Sequence, residues 1–327
     1  MVLARILALL LVVALAACSN GGAANDAATD GVARPLVVSS VGPLHDVTAA
    51  LCGDDFDAHC LLGTGTDPHT YQPTRHDIAR LAAADLVIVN GLYLEAPMRA
   101  TIEALERGGR RVHIASTAVP RDLLLGDTGG HGHADPHLWM DPALWLAVAR
   151  GIADELAHLR PQTRERVEAR FLELEQRFDE IDVYSREVLA SIPANARMLV
   201  TAHDAFGYWA RRYGLEVAAV QGLSTDSETG LARVQELIDL LVAREIPAIF
   251  VEESVSARGV EALVGGTAHR GHTVVIGGSL YSDSLGAPGT WRGTYVGMLD
   301  HNATVVANAL GGSAPLGGRF GRLSEQP

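Results

Sequence analysis

Short apolar runs alternate along the chain with longer segments whose apolar residues recur every three or four positions. Such runs are typical of buried parallel strands, and such segments of helices that cover a sheet. Strands are predicted at residues 36–41, 86–90, 111–115, 198–201, 248–252 and 273–276. Helices are predicted at residues 45–51, 75–83, 94–106, 144–159, 231–244, 257–269 and 295–310. The pattern therefore predicts an α/β fold built on mostly parallel sheets.

One segment departs from this alternation. Residues 162–191 contain neither Gly nor Pro, with Pro161 before them and Pro193 after. One apolar stripe runs along this segment, formed by Val167, Phe171, Leu174, Phe178, Ile181 and Val188. A helix of this length spans roughly 45 Å, more than one domain needs. We expect a rigid backbone helix at 161–192 that joins two α/β lobes, at 35–160 and 193–327. A coiled-coil arm is the alternative, but it needs more heptads than are present.

The N-terminus has the pattern of an export signal. A short basic segment precedes an apolar run at residues 6–15, which is too short to cross a bilayer as a helix. Small residues then lead directly to Cys18, as in a bacterial lipobox, where the cysteine is lipidated. We expect a signal peptide at 1–17, a flexible tether at 18–34 and a lipid-anchored, extracytoplasmic protein. A signal peptide without lipidation is the alternative.

Composition narrows the classes of partner. The hydrophobic fraction of 48% and the charged fraction of 20% are ordinary for a globular protein, and the net charge is −13. A negative surface disfavours nucleic acid and anionic membranes as partners and is compatible with attracting cations. Two cysteines follow Cys18: Cys52 at a predicted helix end and Cys60 on the strand after it. In an oxidising compartment such a pair predicts a disulfide; a thiolate metal site would need more soft ligands than His59 supplies.

Candidate metal ligands lie on four loops. The tripeptide Asp-Pro-His occurs twice, ending at His69 and at His137, each time on a turn-rich segment. His203 follows the predicted strand 198–201, and Asp283 lies on the loop after the last predicted strand. Loops that follow strands are where α/β proteins place their ligand sites. Two imidazoles thus belong to the predicted first lobe, and an imidazole and a carboxylate to the second.

These motifs together resemble the metal-specific solute-binding proteins of ABC transporters, in their TroA-like zinc and manganese branch. The resemblance covers residues 35–310 and includes the segments 222–228, 249–256 and 293–298. It implies two lobes bridged by a long helix and a metal ion in the cleft between them. The implied ligands are His69, His137, His203 and Asp283. The implied partners are a transporter permease and its ATPase, with a monomeric binding protein.

The donor set leaves the choice of ion open. Three imidazoles and one carboxylate suit Zn²⁺ in tetrahedral geometry, and a bidentate Asp283 also suits Mn²⁺. Family members with Glu at the third ligand position tend toward manganese, so His203 favours zinc. We expect one Zn²⁺ or Mn²⁺ per chain, carried as the transported ligand.

A Gly-rich loop before the second Asp-Pro-His contains His131 and His133. It resembles, in short form, the His-rich loop of zinc-binding relatives, and predicts a weak auxiliary site that collects metal. Two silent, solvent-exposed imidazoles are the alternative.

Two other functions compete with transport. A zinc hydrolase would need an open coordination position, whereas Asp283 fills the fourth one. The sequence contains neither a His-Glu-x-x-His helix nor a Gly-x-Ser-x-Gly turn, so we do not expect an enzyme. A surface adhesin or extracellular metal buffer is the other alternative.

Overall fold

The computed structural model describes residues 33–126, 133–227 and 229–323. Residues 34–327 form one compact unit. Among the described helices, none is long and apolar enough to cross a membrane.

The first lobe contains a parallel sheet in the order β2-β1-β3-β4. Its strands are β1 (Leu36–Ser39), β2 (Asp57–Cys60), β3 (Leu86–Val89) and β4 (Val112–Ile114). Its helices are α1 (Gly42–Cys52), α2 (Arg75–Ala83), α3 (Arg99–Arg107) and α4 (Pro142–Leu159). All four side chains of β3 are buried, as expected for a central parallel strand. Helix α4 begins where the Asp141 side chain accepts from the Ala143 amide and Pro142 occupies the first turn.

The predicted backbone helix is present as α5 (Arg164–Ala190), with 27 residues and a length of about 40 Å. It begins later than predicted because Pro161–Thr163 forms a 3₁₀ turn. All six residues of the predicted stripe are buried. Helix α5 contacts α1 and α4 of the first lobe and two helices, α6 (Gly207–Tyr213) and α9 (Tyr295–Ala309), of the second. Helix α5 therefore packs against both lobes along its length.

The second lobe is built from two pairs of parallel strands. These are β5 (Met198–Thr201) with β6 (Glu216–Ala219), and β7 (Ala248–Glu252) with β8 (Val275–Leu280). Strand β5 also contacts β7. The remaining helices are α7 (Leu231–Ala243) and α8 (Arg258–His269). The fold class predicted from the sequence, two α/β lobes joined by a long helix, is confirmed.

The sequence pattern gave no bounds for β2 and missed or misplaced three further elements. Helix α6 is absent from the predictions because its seven residues are fewer than two turns, and strand β6 because its sequence, Glu-Val-Ala-Ala, contains a single large apolar residue. Strand β8 was predicted to end at 276 but continues through Gly277 and Gly278 to Leu280. A Cβ on Gly277 would lie 2.7 Å from the Ala309 side chain. Glycine there permits close packing of β8 against α9, and it hid the strand from a pattern based on apolar residues.

One hydrophobic cluster runs through both lobes and α5. It includes Val38 of β1, Trp145 of α4, Phe178 of α5, Phe250 of β7 and Tyr295 of α9. Because interiors are close-packed and resist deformation, a shared core restrains movement of one lobe relative to the other.

The predicted disulfide between Cys52 and Cys60 is absent, since both residues are free thiols in the structure. Cys52 ends α1 and is fully buried in the hydrophobic cluster. The Cys60 thiol donates to the Leu62 carbonyl at 3.1 Å. Each thiol thus packs or bonds separately. Burial raises the pKa of Cys52 to about 12 and that of Cys60 to about 11, so neither readily forms a thiolate.

Candidate metal centre

The four predicted ligand residues lie on loops that follow strands. His69 follows β2, His137 follows β4, His203 follows β5 and Asp283 follows β8. The carboxyl ends of parallel strands meet at one edge of their sheet, so loops of both lobes can converge there. The structure brings all four side chains together. One potential ligand atom from each lies within 4.8 Å of the others.

Asp283 lies at the middle of this cluster. Its Oδ1 is 3.4 Å from His137 Nε2. Its Oδ2 is 3.2 Å from His203 Nε2 and 3.6 Å from His69 Nε2. The Nε2 atoms of His69 and His137 are 3.4 Å apart. The exposed fraction is 0% for His137 and His203, 2% for Asp283 and 6% for His69, so the cluster is almost closed to water.

Two carboxylates outside the cluster orient two of its imidazoles. Asp135 Oδ1 accepts from the His137 backbone N–H and lies 2.7 Å from His137 Nδ1. Glu252 Oε1 accepts from the His203 backbone N–H, and its Oε2 lies 2.6 Å from His203 Nδ1. A carboxylate at Nδ1 holds a proton there, so that Nε2 faces the centre and offers its lone pair to a metal once its own proton has left.

The sequence indicated Glu252 as a partner more clearly than Asp135. Glu252 ends a predicted strand inside a segment shared with the resembled family, and could be named as one candidate partner among several. The contact of Asp135 with His137 was not predicted. The repeated Asp-Pro-His tripeptide is the feature of the sequence that could have suggested it. The first tripeptide does not share this contact, so the repeat alone could not have assigned it.

Protonation of the cluster follows its burial and charge. Burial lowers the pKa of His69 to about 4, against the opposing charge of Asp283. Burial also disfavours the charged form of His137, but Asp135 and Asp283 outweigh it and raise its pKa to about 9. Glu252 and Asp283 likewise raise the pKa of His203 well above its usual value despite burial. The two imidazoles in turn hold the pKa of Asp283 well below its usual range. The buried carboxylates thus require nearby positive charge.

The arrangement fits a divalent cation. Neither oxygen of Asp283 has a hydrogen bond of normal geometry among the described residues, although both are buried. Buried polar atoms without partners are rare unless they bind an ion or water. The contacts of 3.2–3.6 Å between donor atoms are close to the edge of a tetrahedron, about 3.3 Å for ligand distances of about 2.0–2.1 Å. The donor types and these separations therefore fit Zn²⁺.

His131 lies outside the described residues, as does Cys18. The other auxiliary histidine, His133, lies within them. His133 stacks against Tyr93 with ring centroids 3.7 Å apart. Both line a cavity of about 560 Å³, of which His69 also forms part of the wall. His133 is thus at the entrance to the cluster rather than within it.

Two α/β lobes joined by a long helix, with a buried polar cluster where their strands end, define the class of bilobed solute-binding proteins. A model of the family "Zinc-uptake complex component A periplasmic" (ZnuA) matches residues 37–309. The chain therefore belongs to the ZnuA family.

Individual relatives support this assignment. The chain is 41% identical over 285 residues to the zinc-binding protein TroA of Treponema pallidum, covering 87% of this chain and 91% of TroA. It is 38% identical over 275 residues to the manganese-binding lipoprotein MntA of Bacillus subtilis, covering 84% and 89%. The solved structure of the periplasmic zinc-binding protein TroA from Treponema pallidum superposes with a TM-score of 0.82 at 40% identity, covering 85% of this chain and 99% of that one.

Proposed function

We propose that this protein captures one Zn²⁺ or Mn²⁺ ion between its lobes and delivers it to an ABC importer. The ligands are His69, His137, His203 and Asp283. The observation that carries the proposal is the convergence of four buried donor side chains around a carboxylate whose oxygens have no hydrogen bond of normal geometry within the described part of the chain. Capture displaces the protons that balance this carboxylate in the free protein.

The donor set favours zinc over manganese at equilibrium. Three imidazole nitrogens and one carboxylate suit Zn²⁺, and the Irving–Williams order places Zn²⁺ above Mn²⁺ at a given nitrogen and oxygen site. Two of the similar proteins are described as zinc-binding and manganese-binding respectively. The ion that is transported therefore depends on which metal is available as well as on affinity.

The location follows from the N-terminal signal and the family. The exported chain is anchored by a lipid on Cys18 and acts as a monomer outside the cytoplasmic membrane. There it delivers the ion to the permease, whose ATPase acts on the cytoplasmic side. The cluster favours binding over catalysis, because Asp283 occupies the position that a catalytic zinc keeps for water. We place the domain limits at 35–160, 161–192 and 193–327, and the position of α5 between two groups of strands supports this division.

The test is the metal content of protein purified without added metal, followed by competitive titration with Zn²⁺ and Mn²⁺. We expect one equivalent, held with higher affinity for Zn²⁺. Four single variants should each weaken metal binding by about 100-fold or more: His69→Ala, His137→Ala, His203→Ala and Asp283→Ala. Loss of a residue that only orients a ligand costs about 10–100-fold, so loss of a ligand itself should cost at least the upper end of that range.

His133→Ala is the matched control, since this imidazole lines the entrance and should leave equilibrium affinity within threefold of the wild type. Equal losses in His133→Ala and His69→Ala would show that the site is misplaced. Wild-type protein that binds neither ion below micromolar concentration would overturn the proposed function.

A further inference from the structure

The two Asp-Pro-His turns have the same local geometry but different distant partners. In both, the aspartate Oδ1 accepts from the histidine backbone N–H at 2.9 Å. Asp135 also contacts the ring of its histidine, at 2.7 Å. The second oxygen of Asp67 instead accepts from the Thr225 hydroxyl at 2.5 Å and from Thr70 at 3.2 Å. The first turn therefore directs its carboxylate away from the metal centre.

The bond to Thr225 crosses the cleft. Asp67 belongs to the first lobe, and Thr225 lies in the second, on the segment between β6 and α7, with 158 positions separating them in sequence. The residues on either side of Thr225, Ser224 and Asp226, line the cavity of about 560 Å³. The opposite wall is formed by Tyr93, His133 and His69 of the first lobe. Thr225 thus joins the two rims of this cavity.

His69 is the ligand that faces the cavity. It is the one cluster residue that lines the cavity, as far as the structure describes the chain. The other three are held from the side of the core. His137 and His203 contact Asp135 and Glu252. The loop of Asp283 is held by Trp139 Nε1, which donates to the Ser282 carbonyl at 2.8 Å. An ion leaving through the cavity must pass His69 and the rim that carries Thr225.

We propose that the hydrogen bond between Asp67 and Thr225 is a latch that closes the cleft over His69 and sets how long a bound divalent ion is retained. The latch rests on the proposed function, because it needs an ion to retain. Thr225 is a positioning residue and touches no ligand atom. Breaking the latch frees the rim and the His69 turn to separate, which opens the exit and leaves the other ligands in place.

The experiment measures the rate at which Zn²⁺ leaves the loaded full-length protein when a chromogenic chelator is added in excess, by stopped flow. Thr225→Val keeps the shape of the side chain and removes the hydroxyl. Because the acceptor is a carboxylate, we expect dissociation to be about tenfold faster. Thr225→Ser restores the hydroxyl and should return the rate to within twofold of the wild type.

Thr229→Val is the matched control. Thr229 lines the same cavity, but its hydroxyl donates at 3.2 Å to Val220 of its own lobe, so its loss should leave the dissociation rate unchanged. In an Asp67→Ala background, Thr225→Val should add no further acceleration. The melting temperatures of metal-free Thr225→Val and Thr229→Val should be similar, while only Thr225→Val should release Zn²⁺ faster, which separates a latch from general destabilisation.

The outcomes distinguish failure of the latch from failure of the proposed function. A dissociation rate for Thr225→Val within twofold of the wild type, or additive effects in the double variant, would overturn the latch and leave the capture site intact. Wild-type protein that retains no Zn²⁺ would overturn the proposed function and the latch with it.

Discussion

The carboxylate of Asp135 contacts His137 twice, through the backbone N–H at 2.9 Å and through Nδ1 at 2.7 Å. Asp135 is itself held in place, because its carbonyl accepts from the Tyr208 hydroxyl of α6 at 2.8 Å. A residue of the second lobe thus supports the partner of a ligand in the first. The orientation of His137 depends on both lobes.

Replacing Asp135 by Asn should weaken metal binding by about 10–100-fold, the usual cost of losing a partner that orients a ligand. The amide oxygen can still accept from the backbone, but it no longer supplies charge at Nδ1. Competitive titration with Zn²⁺ measures the change. Asp122→Asn, at an exposed position, is the control and should match the wild type. Affinity in Asp135→Asn within threefold of the wild type would contradict this role.

Replacing His203 by Glu should shift the preference from zinc toward manganese, because an oxygen donor replaces a nitrogen donor. Glu252 Oε2 lies 2.6 Å from the ring of His203, so the single variant brings two buried carboxylates together and should lose stability. The double variant His203→Glu/Glu252→Gln removes that repulsion. The ratio of Zn²⁺ to Mn²⁺ affinity in the double variant is the measurement. An unchanged ratio would show that the third ligand does not set selectivity.

Metal binding should strengthen as pH rises from 7 to 9. The pKa of His137 is raised to about 9 in the free protein, so a proton occupies the imidazole at neutral pH and must leave when a metal binds. Titration calorimetry in buffers with different ionisation enthalpies should show proton release that declines as pH approaches 9. Affinity independent of pH over this range would contradict the protonated state of His137.

The same shift has the opposite effect on the metal-free protein. The ordinary pKa of histidine is 6.5, and in the folded protein that of His137 is about 9. The protonated imidazole therefore contributes its full stabilisation below pH 6.5, and this contribution disappears as the pH rises through about 9. The melting temperature of metal-free protein should therefore decrease over this window. His137→Gln is the control: it removes this group, so the decrease should be smaller, and the remainder belongs to His203, whose pKa is also raised.

Arg212 of α6 links both lobes to the backbone helix. It contacts Asp141 Oδ1 at 2.9 Å and Asp182 Oδ1 of α5 at 2.6 Å. Arg212→Met leaves two largely buried carboxylates without this partner. It should lower the free energy of unfolding by about 2 kcal/mol, below the value for fully buried pairs. Urea denaturation measures this.

Arg186→Met is the matched control for that experiment. Arg186 pairs with the same Asp182 at 3.2 Å, but its own side chain is 55% exposed. Its replacement should cost no more than about 0.5 kcal/mol. Equal losses in the two variants would indicate that burial of the Arg212 pairs contributes nothing.

Metal loading should change the radius of gyration very little. The lobes share one hydrophobic cluster, and α5 packs against helices of both. Closure by a wide hinge would have to break that packing. Solution scattering of metal-free and loaded protein should give radii equal within error, whereas a clear decrease on loading would show that the shared core does open.

The sequence alone determined the features that depend on local patterns. The apolar stripe from Val167 to Val188 predicted α5, because helical periodicity reports which face is buried. The loop positions of His203 and Asp283 after predicted strands, the two Asp-Pro-His turns at His69 and His137, and the family resemblance together indicated a shared site, because parallel strands present their carboxyl ends together. Helix α6 was missed because its seven residues are fewer than two turns, and strand β6 because it contains a single large apolar residue.

Only the tertiary structure decided which polar groups meet. The Asp-Pro-His tripeptide is the same at 67–69 and 135–137, yet one carboxylate contacts its own imidazole and the other crosses the cleft to Thr225. Likewise, the two cysteines that follow Cys18 predicted a disulfide, whereas the structure contains two separate thiols. Local sequence fixes a turn, but the partner of a side chain depends on residues that lie far away along the chain, such as Glu252, which is 49 positions from His203. Only packing of the whole chain brings such residues within hydrogen-bond distance.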